Sequence, residues 1–235
     1  MKIFCFFLLI SSNILCQNKI VDGMRQGEWV LLFPNKSDSL ISERGVFIND
    51  LEHGLWVRYY DNMMIREIVN YKYGQLHGLS FSFDKKGRIK SQEIYFNNEL
   101  DGIQLYYYDT GKIKSELNYK KGDLNGFVNK FYKNGKKQES SFYIQGKKNG
   151  IANWYYDNGE LSVTYNYLNG DISGEVSSYY KNGQLKSSSN YKMNELDGEK
   201  IDYYQSGNIK KKSTFHLGTQ KYITIHFDSL GNEIK

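Results

Sequence analysis

The sequence predicts an all-β protein: an elongated antiparallel β-hairpin repeat array, a single-sheet solenoid of about eight and a half copies. Three observations predict it. Glycines recur at Gly54, Gly78, Gly102, Gly126, Gly150, Gly174 and Gly198, each 24 residues after the last. A fixed period of about 20 to 50 residues is the signature of a repeat architecture. Aromatic and turn residues keep fixed places behind these glycines. And within each copy apolar residues alternate with period two, as in a half-buried strand, while no stretch has helical spacing.

Residues are conveniently placed by their distance from the leading glycine. Position +5 is aromatic: Tyr59, Phe83, Tyr107, Phe131, Tyr155, Tyr179, Tyr203 and then Phe227. Position +9 is glycine at Gly87, Gly111, Gly135, Gly159, Gly183 and Gly207, with Met63 the exception. Position +17 is aromatic again, from Tyr71 to Phe215. Position +20 holds Gly74, Gly122, Gly146, Gly170 and Gly218, with Asn98 and Asn194 in the other two places. Asn and Gly share that column because both tolerate positive φ. The Asn-Gly pairs at 134–135, 158–159 and 182–183 are the strongest short-range hairpin signal. Each copy therefore reads strand, tight turn, strand, second turn.

In the first strand, positions +1, +3 and +5 tend to be apolar, as in Leu55-Val57-Tyr59, Leu79-Phe81-Phe83 and Ile103-Leu105-Tyr107. These are expected to form the buried face. In the second strand, Ile89, Ile113, Leu161, Leu185 and Ile209 share a face with the aromatic at +17. Lys114, Asn118 and Lys120 are expected to point to water.

The ends differ from the middle. Residues 1–16 combine Lys2, the apolar run Ile3 to Ile10, two serines and Cys16. This pattern predicts a secretory signal peptide, with residues 17–235 as the repeat array and an exported destination: periplasm, cell envelope or secretion. The run is short of the ~20 apolar residues a spanning helix needs. Lipidation of Cys16 is the alternative to plain cleavage. Both cysteines lie in this segment, so the mature chain is expected to rely on sheet packing rather than disulfides. The first copy, from Gly27 to Gly54, carries three extra residues near Pro34 to Asp38. The second has Asp61-Asn62-Met63-Met64 where a glycine turn belongs, and Tyr222 replaces the last leading glycine. Terminal copies of a stack are commonly atypical because they cap it. With strands ~4.8 Å apart the array would run roughly 80 Å and measure about 23 Å across.

The formal net charge is +5 and the lysines are scattered over the copies, which gives no case for nucleic acid as a partner. His53 and His77 precede leading glycines and read as polar turn residues. One repeat apart, they lie too far from each other to share a zinc ion unaided. The glycines are spaced for turns, not for a phosphate loop. No catalytic residues, metal ligands or cofactors are therefore expected. The sharper candidates lie at position +6: Tyr60, Tyr108, Tyr132, Tyr156, Tyr180 and Tyr204. Strand alternation sets them opposite the +5 aromatics. If one set is inside, the other is an exposed row fit to bind a protein, a glycan or a lipid surface. Tyr108, Tyr132, Tyr156, Tyr180 and Tyr204 are taken as the partner-binding candidates.

Glycine, strand, Tyr-Tyr, Asn-Gly, strand ending in Tyr, Asn-Gly, glycine: this order resembles the MORN repeat, and more closely the MORN-variant repeats of the bacterial YwqK-like antitoxin family. The resemblance covers about residues 23–235. It implies a twisted sheet of stacked hairpins and a binding or scaffolding role rather than catalysis. It further implies a protein partner, with a toxin-like protein one candidate, and a glycan or membrane surface the alternative.

Overall fold

The computed structural model describes residues 18–34 and 40–234. Residues 1–17, with both cysteines and the expected signal peptide, and the longer first turn apart from Pro34 lie outside the described residues.

Among those residues every regular element is a strand, and all the strands join one sheet. The copy opening at Gly102 shows the plan. Its outbound strand, Gly102–Tyr107, pairs antiparallel with its return strand, Ile113–Lys120, with Gly102 opposite Tyr119. On its other side Tyr106 stands opposite Ser91 of the preceding return strand, Ile89–Phe96. Each strand thus neighbours the strand before and after it in the chain. The first and last strands are paired on one side only, so the sheet stays open.

Two bends recur in each copy. The pairing shifts register between positions +4 and +5, as at Tyr106/Tyr107, Lys130/Phe131 and Trp154/Tyr155. A second break falls at the leading glycine. Gly126 sits at φ +113°, and a Cβ there would stand 3.0 Å from the Cβ of Asn118. Extra residues at regular places in a ladder raise its twist.

The two turns differ in kind. At the Asn-Gly turn, Tyr156 N–H donates to the carbonyl of Glu160 (2.8 Å), and Gly159 N–H donates to the carbonyl of Tyr156 (2.9 Å). Only Gly159 is left-handed there, at φ +92°; Asn158 is not. This is a three-residue loop ending in a left-handed glycine, not the two-residue loop in which both residues take positive φ. The two-residue loop is the other turn. Asn169 (φ 53°) and Gly170 (φ 97°) link the paired residues Leu168 and Asp171. Its first residue is left-handed whatever its identity: Tyr73, Lys121, Gln145, Met193 and Leu217 all have φ between 46° and 51°.

The buried face is not the expected one. Trp56, Val128, Ala152 and Val176 at +2, and Val69 at +15, are each 8% exposed or less. They lie opposite one another in the register, as Trp56 with Val69 and Val128 with Ser141. The +1 residues Leu55, Leu79, Ile103, Phe127 and Ile151 lie on the other face and are 42–59% exposed. A single sheet has no second layer to cover it, so a side chain is buried only by taller neighbours on its own face. The centre of the +2/+15 column is flanked by the +17 tyrosines and by long side chains at +4, which lean over small residues. The +1 residues stand beside the leading glycine, where cross-strand neighbours, such as Phe142 edge-on to Phe127 (5.0 Å), cover them only in part. Val57 at +3, 8% exposed, is buried as expected.

The buried column is partly polar, and among the described residues no fully buried side-chain N or O atom lacks a hydrogen-bond partner. Gln104 is fully buried; its Oε1 accepts from Ile94 N–H (2.6 Å), and its Nε2 donates to the carbonyls of Ile94 and Gly102 (3.1 Å each). It thereby serves backbone groups at the kink beside the leading glycine. Leaving such groups unmet would cost about 1–3 kcal/mol apiece. At the N-terminal end Phe47 packs edge-on against Trp29 and Trp56, and Trp56 lies over Gly45, where an added Cβ would fall 2.2 Å from the indole.

Candidate binding surfaces

The position +6 tyrosines open the three-residue turns and are half-buried. Each phenol is committed. Tyr60 donates to the carbonyl of Phe83 (2.9 Å), Tyr108 to Phe131 (2.6 Å) and Tyr132 to Tyr155 (2.7 Å). Tyr156 donates to Tyr179 (2.8 Å), Tyr180 to Tyr203 (2.7 Å) and Tyr204 to Phe227 (2.9 Å). Every acceptor lies 23 residues on, in the next copy. The row expected to be exposed thus laces consecutive copies together along one edge. The rings keep an accessible side, over which lysines sit: Lys181 is 5.6 Å from the Tyr156 centroid and Lys210 5.6 Å from that of Tyr204. Asn62, Asn134 and Asn158 add a second thread, each Nδ2 donating to a carbonyl 23 residues on.

The copy opening at Gly78 has Asp84 in place of the tyrosine. Asp84 accepts from Lys86 and Arg88 N–H and pairs with the Arg88 side chain, which holds its carboxyl down at about 2. Arg88 then donates to the carbonyl of Asp109 (3.2 Å), so an ionic link replaces the phenol at this joint.

The opposite edge is laced by the two-residue turns. Gly122, Gly146, Gly170 and Gly218 donate their N–H to carbonyls of the preceding turn, at Leu100, Leu124, Lys148 and Leu196 (2.8–2.9 Å). The polar residue before every leading glycine but Gly174 meets the left-handed turn of its own copy. His53 Nδ1 lies 3.4 Å from Tyr73 N, Asp101 accepts from Lys121 N–H, and Asn125 from Gln145 N–H. The histidines are turn residues, as expected.

On the buried-column face, charged and aromatic side chains gather. Arg58 bonds to Glu43 (2.7 Å), Glu52 (2.9 Å), Glu67 (3.2 Å) and the Tyr71 hydroxyl (3.2 Å). Glu93 accepts from Tyr95 (2.9 Å); burial first, and then that carboxylate, push the Tyr95 phenol up to about 12. Among the described residues no three His, Cys, Asp or Glu side chains are grouped to hold a metal ion, and no helix is long and apolar enough to cross a membrane. The other face carries the exposed +1 row.

With this geometry in hand, four segments match a family model described as MORN repeat variant: residues 100–121, 148–169, 172–193 and 196–216. They start two residues before leading glycines and share one 24-residue register, so their frame is that of the paired hairpins. The matches support a MORN-repeat protein. MORN repeats are generally modules that bind proteins or membranes, and their sheets are typically non-catalytic. No curated protein matches the chain.

Proposed function

We propose that this array is an exported, non-enzymatic scaffold that holds a protein partner along its sheet, in the manner of the antitoxin-like MORN-variant proteins. The observation that carries this reading is the row Leu55, Leu79, Ile103, Phe127 and Ile151. Five large apolar side chains, one per copy, stand exposed on one face. Exposed singly such residues are ordinary, but their alignment on one face, one per copy, makes a continuous candidate contact line. In the next two copies the position turns to Glu175 and Glu199, which ends the row and gives the partner a defined register. The apolar leader at residues 3–10 supports export. The accessible rings of Tyr108, Tyr132, Tyr156, Tyr180 and Tyr204 offer a second contact surface on the laced edge. Their contribution to binding is through ring faces, since the hydroxyls are occupied. A toxin-like protein in the same compartment is the partner class this reading favours.

The test is affinity capture from the protein's own cells with three forms of the chain. Ile103→Asp plus Ile151→Asp is expected to lose the partner at least tenfold. Tyr156→Phe plus Tyr180→Phe keeps the rings and is expected to retain it, while Tyr156→Ala plus Tyr180→Ala weakens it. Equal recovery by wild type and the aspartate variant would reject the apolar row as the docking surface. A lipid surface is the second reading, favoured by exposed Arg66, Lys90, Lys114, Lys186 and Lys210 at one column of the return strands. Flotation with anionic vesicles distinguishes it.

A further inference from the structure

On the face away from the apolar row, the copy that opens at Gly150 departs from its sisters at several columns together. Two residues before the leading glycine, other copies carry Leu76, Leu100, Leu124, Ile172 and Leu196; here the residue is Lys148. At +4, a varied column that holds Arg58, Ser82, Tyr106, Lys130, Ser178 and Asp202 in the other copies, this copy alone has a tryptophan, Trp154. At +13 of the preceding copy, a column that holds Glu67, Val163 and Lys211 as well as Ser91, Ser115 and Ser187, Glu139 is buried.

The departures meet in space. The Lys148 Nζ lies 4.2 Å from the ring centroid of Trp154, 5.3 Å from that of Tyr167 and 5.9 Å from that of Tyr143. It is 3.1 Å from Glu139 Oε1. Aromatic faces around a desolvated carboxylate are the chemistry that recognises an alkylammonium ion. The carboxylate does not need Lys148 for its own satisfaction. Its Oε2 is held by Lys130 (2.8 Å), and its Oε1 also accepts from the Ser141 hydroxyl (2.8 Å). Lys148 ends the two-residue strand Lys147–Lys148, and its side chain reaches solvent. It can therefore swing out while the box persists.

We propose that Trp154, Tyr143, Tyr167 and Glu139 form a binding site for an alkylammonium group, which Lys148 fills in the free protein and vacates on binding. The site lies on the opposite face from the apolar row and does not depend on the protein-docking reading.

The experiment is a titration of the full chain, labelled with ¹⁵N at its tryptophan indoles, at constant ionic strength. One arm uses choline and the other Nα-acetyl-lysine methylamide, which separates a small quaternary ion from a protein lysine as the source. The indole signal absent from Trp154→Leu is expected to move saturably in wild type with at least one of them. Lys148→Ala should reach half-saturation at a concentration at least tenfold lower. Glu139→Gln, which keeps Lys148, should raise it at least tenfold. Silence of the Trp154 signal in wild type overturns the proposal, whether or not Lys148→Ala responds, because Lys148 then never yields its place. A response in Glu139→Gln equal to wild type overturns it too.

Discussion

The two long edges of the sheet do the same job with different parts. Both join each copy to the next at every period. The three-residue-turn edge does so with side chains, a phenol and an amide reaching carbonyls 23 residues on. The two-residue-turn edge does so with backbone N–H groups, which are presented by residues held at positive φ. One edge is therefore written in side-chain atoms and can be cut by removing a single oxygen. The other is written in conformation, and its strength depends on what the left-handed positions cost. A thin sheet without a second layer gains fixed spacing from both.

Cutting the side-chain edge gives the largest effect. Tyr132→Phe with Tyr156→Phe keeps both rings and deletes two hydrogen bonds to carbonyls in adjacent copies. At about 1–1.5 kcal/mol each, the loss is about 2–3 kcal/mol. Repeat arrays unfold by neighbour coupling, so the cut is expected to split the urea transition in two rather than shift it whole. Hydrogen exchange should show faster opening at residues 155–180 than at 78–107. A single transition at the wild-type midpoint would refute the lacing role.

The conformational edge responds with the opposite sign. Met193 is left-handed (φ 47°) and largely exposed, so replacing it loses little packing. A left-handed L-residue costs about 1–2 kcal/mol, against about 0.5–1 kcal/mol for the extra unfolded freedom of glycine. Met193→Gly should therefore raise stability by about 0.5–1 kcal/mol. Met63 breaks the glycine column on the other edge and also takes φ 63°. Met63→Gly should gain a similar amount, while glycine at an exposed position with ordinary φ, such as Lys120, should lower stability. A loss at either methionine, read by denaturant midpoint, would remove conformation from the account.

This contrast also explains what could be read in advance. Period, strand order and the glycine and asparagine columns were legible because turns need particular residue types. Asn169-Gly170 can be placed from its letters alone. The buried face was not, because burial on a single sheet is decided by neighbours on the same face and by how they lean, and +1 and +2 were both plausible from alternation. The position +6 tyrosines were found, but their hydroxyl partners are backbone carbonyls, which have no column of their own. One signal was available. From Gly54 onward, position +5 mixes Tyr with Phe, whereas +6 is Tyr in six copies and never Phe. A column that admits Tyr but not Phe is selected for its oxygen. The box around Lys148 was likewise spread over separate columns of two copies, and only pairing brings them together.

The smallest effect concerns the one joint where the laced edge is ionic. Asp84 and Arg88 stand where other copies have a tyrosine, and the Asp84 carboxyl is held at about 2 by its bonds to Arg88. Its unfolded value is about 3.9. A carboxyl lowered on folding adds stability that is complete above the unfolded value and disappears as pH falls through the folded one. The joint should therefore loosen between about pH 4 and about pH 2. Asp84 lies at the surface with its side chain 26% exposed, so the change is small and local, best read as faster exchange of the Lys86 and Arg88 amides, whose hydrogen bonds Asp84 accepts. Asp84→Asn should flatten that acid dependence and leave exchange at the Tyr156 turn as it was. An Asn variant with the wild-type acid profile would mean that Arg88 holds the joint through Asp109 alone, and that the ionic link adds nothing.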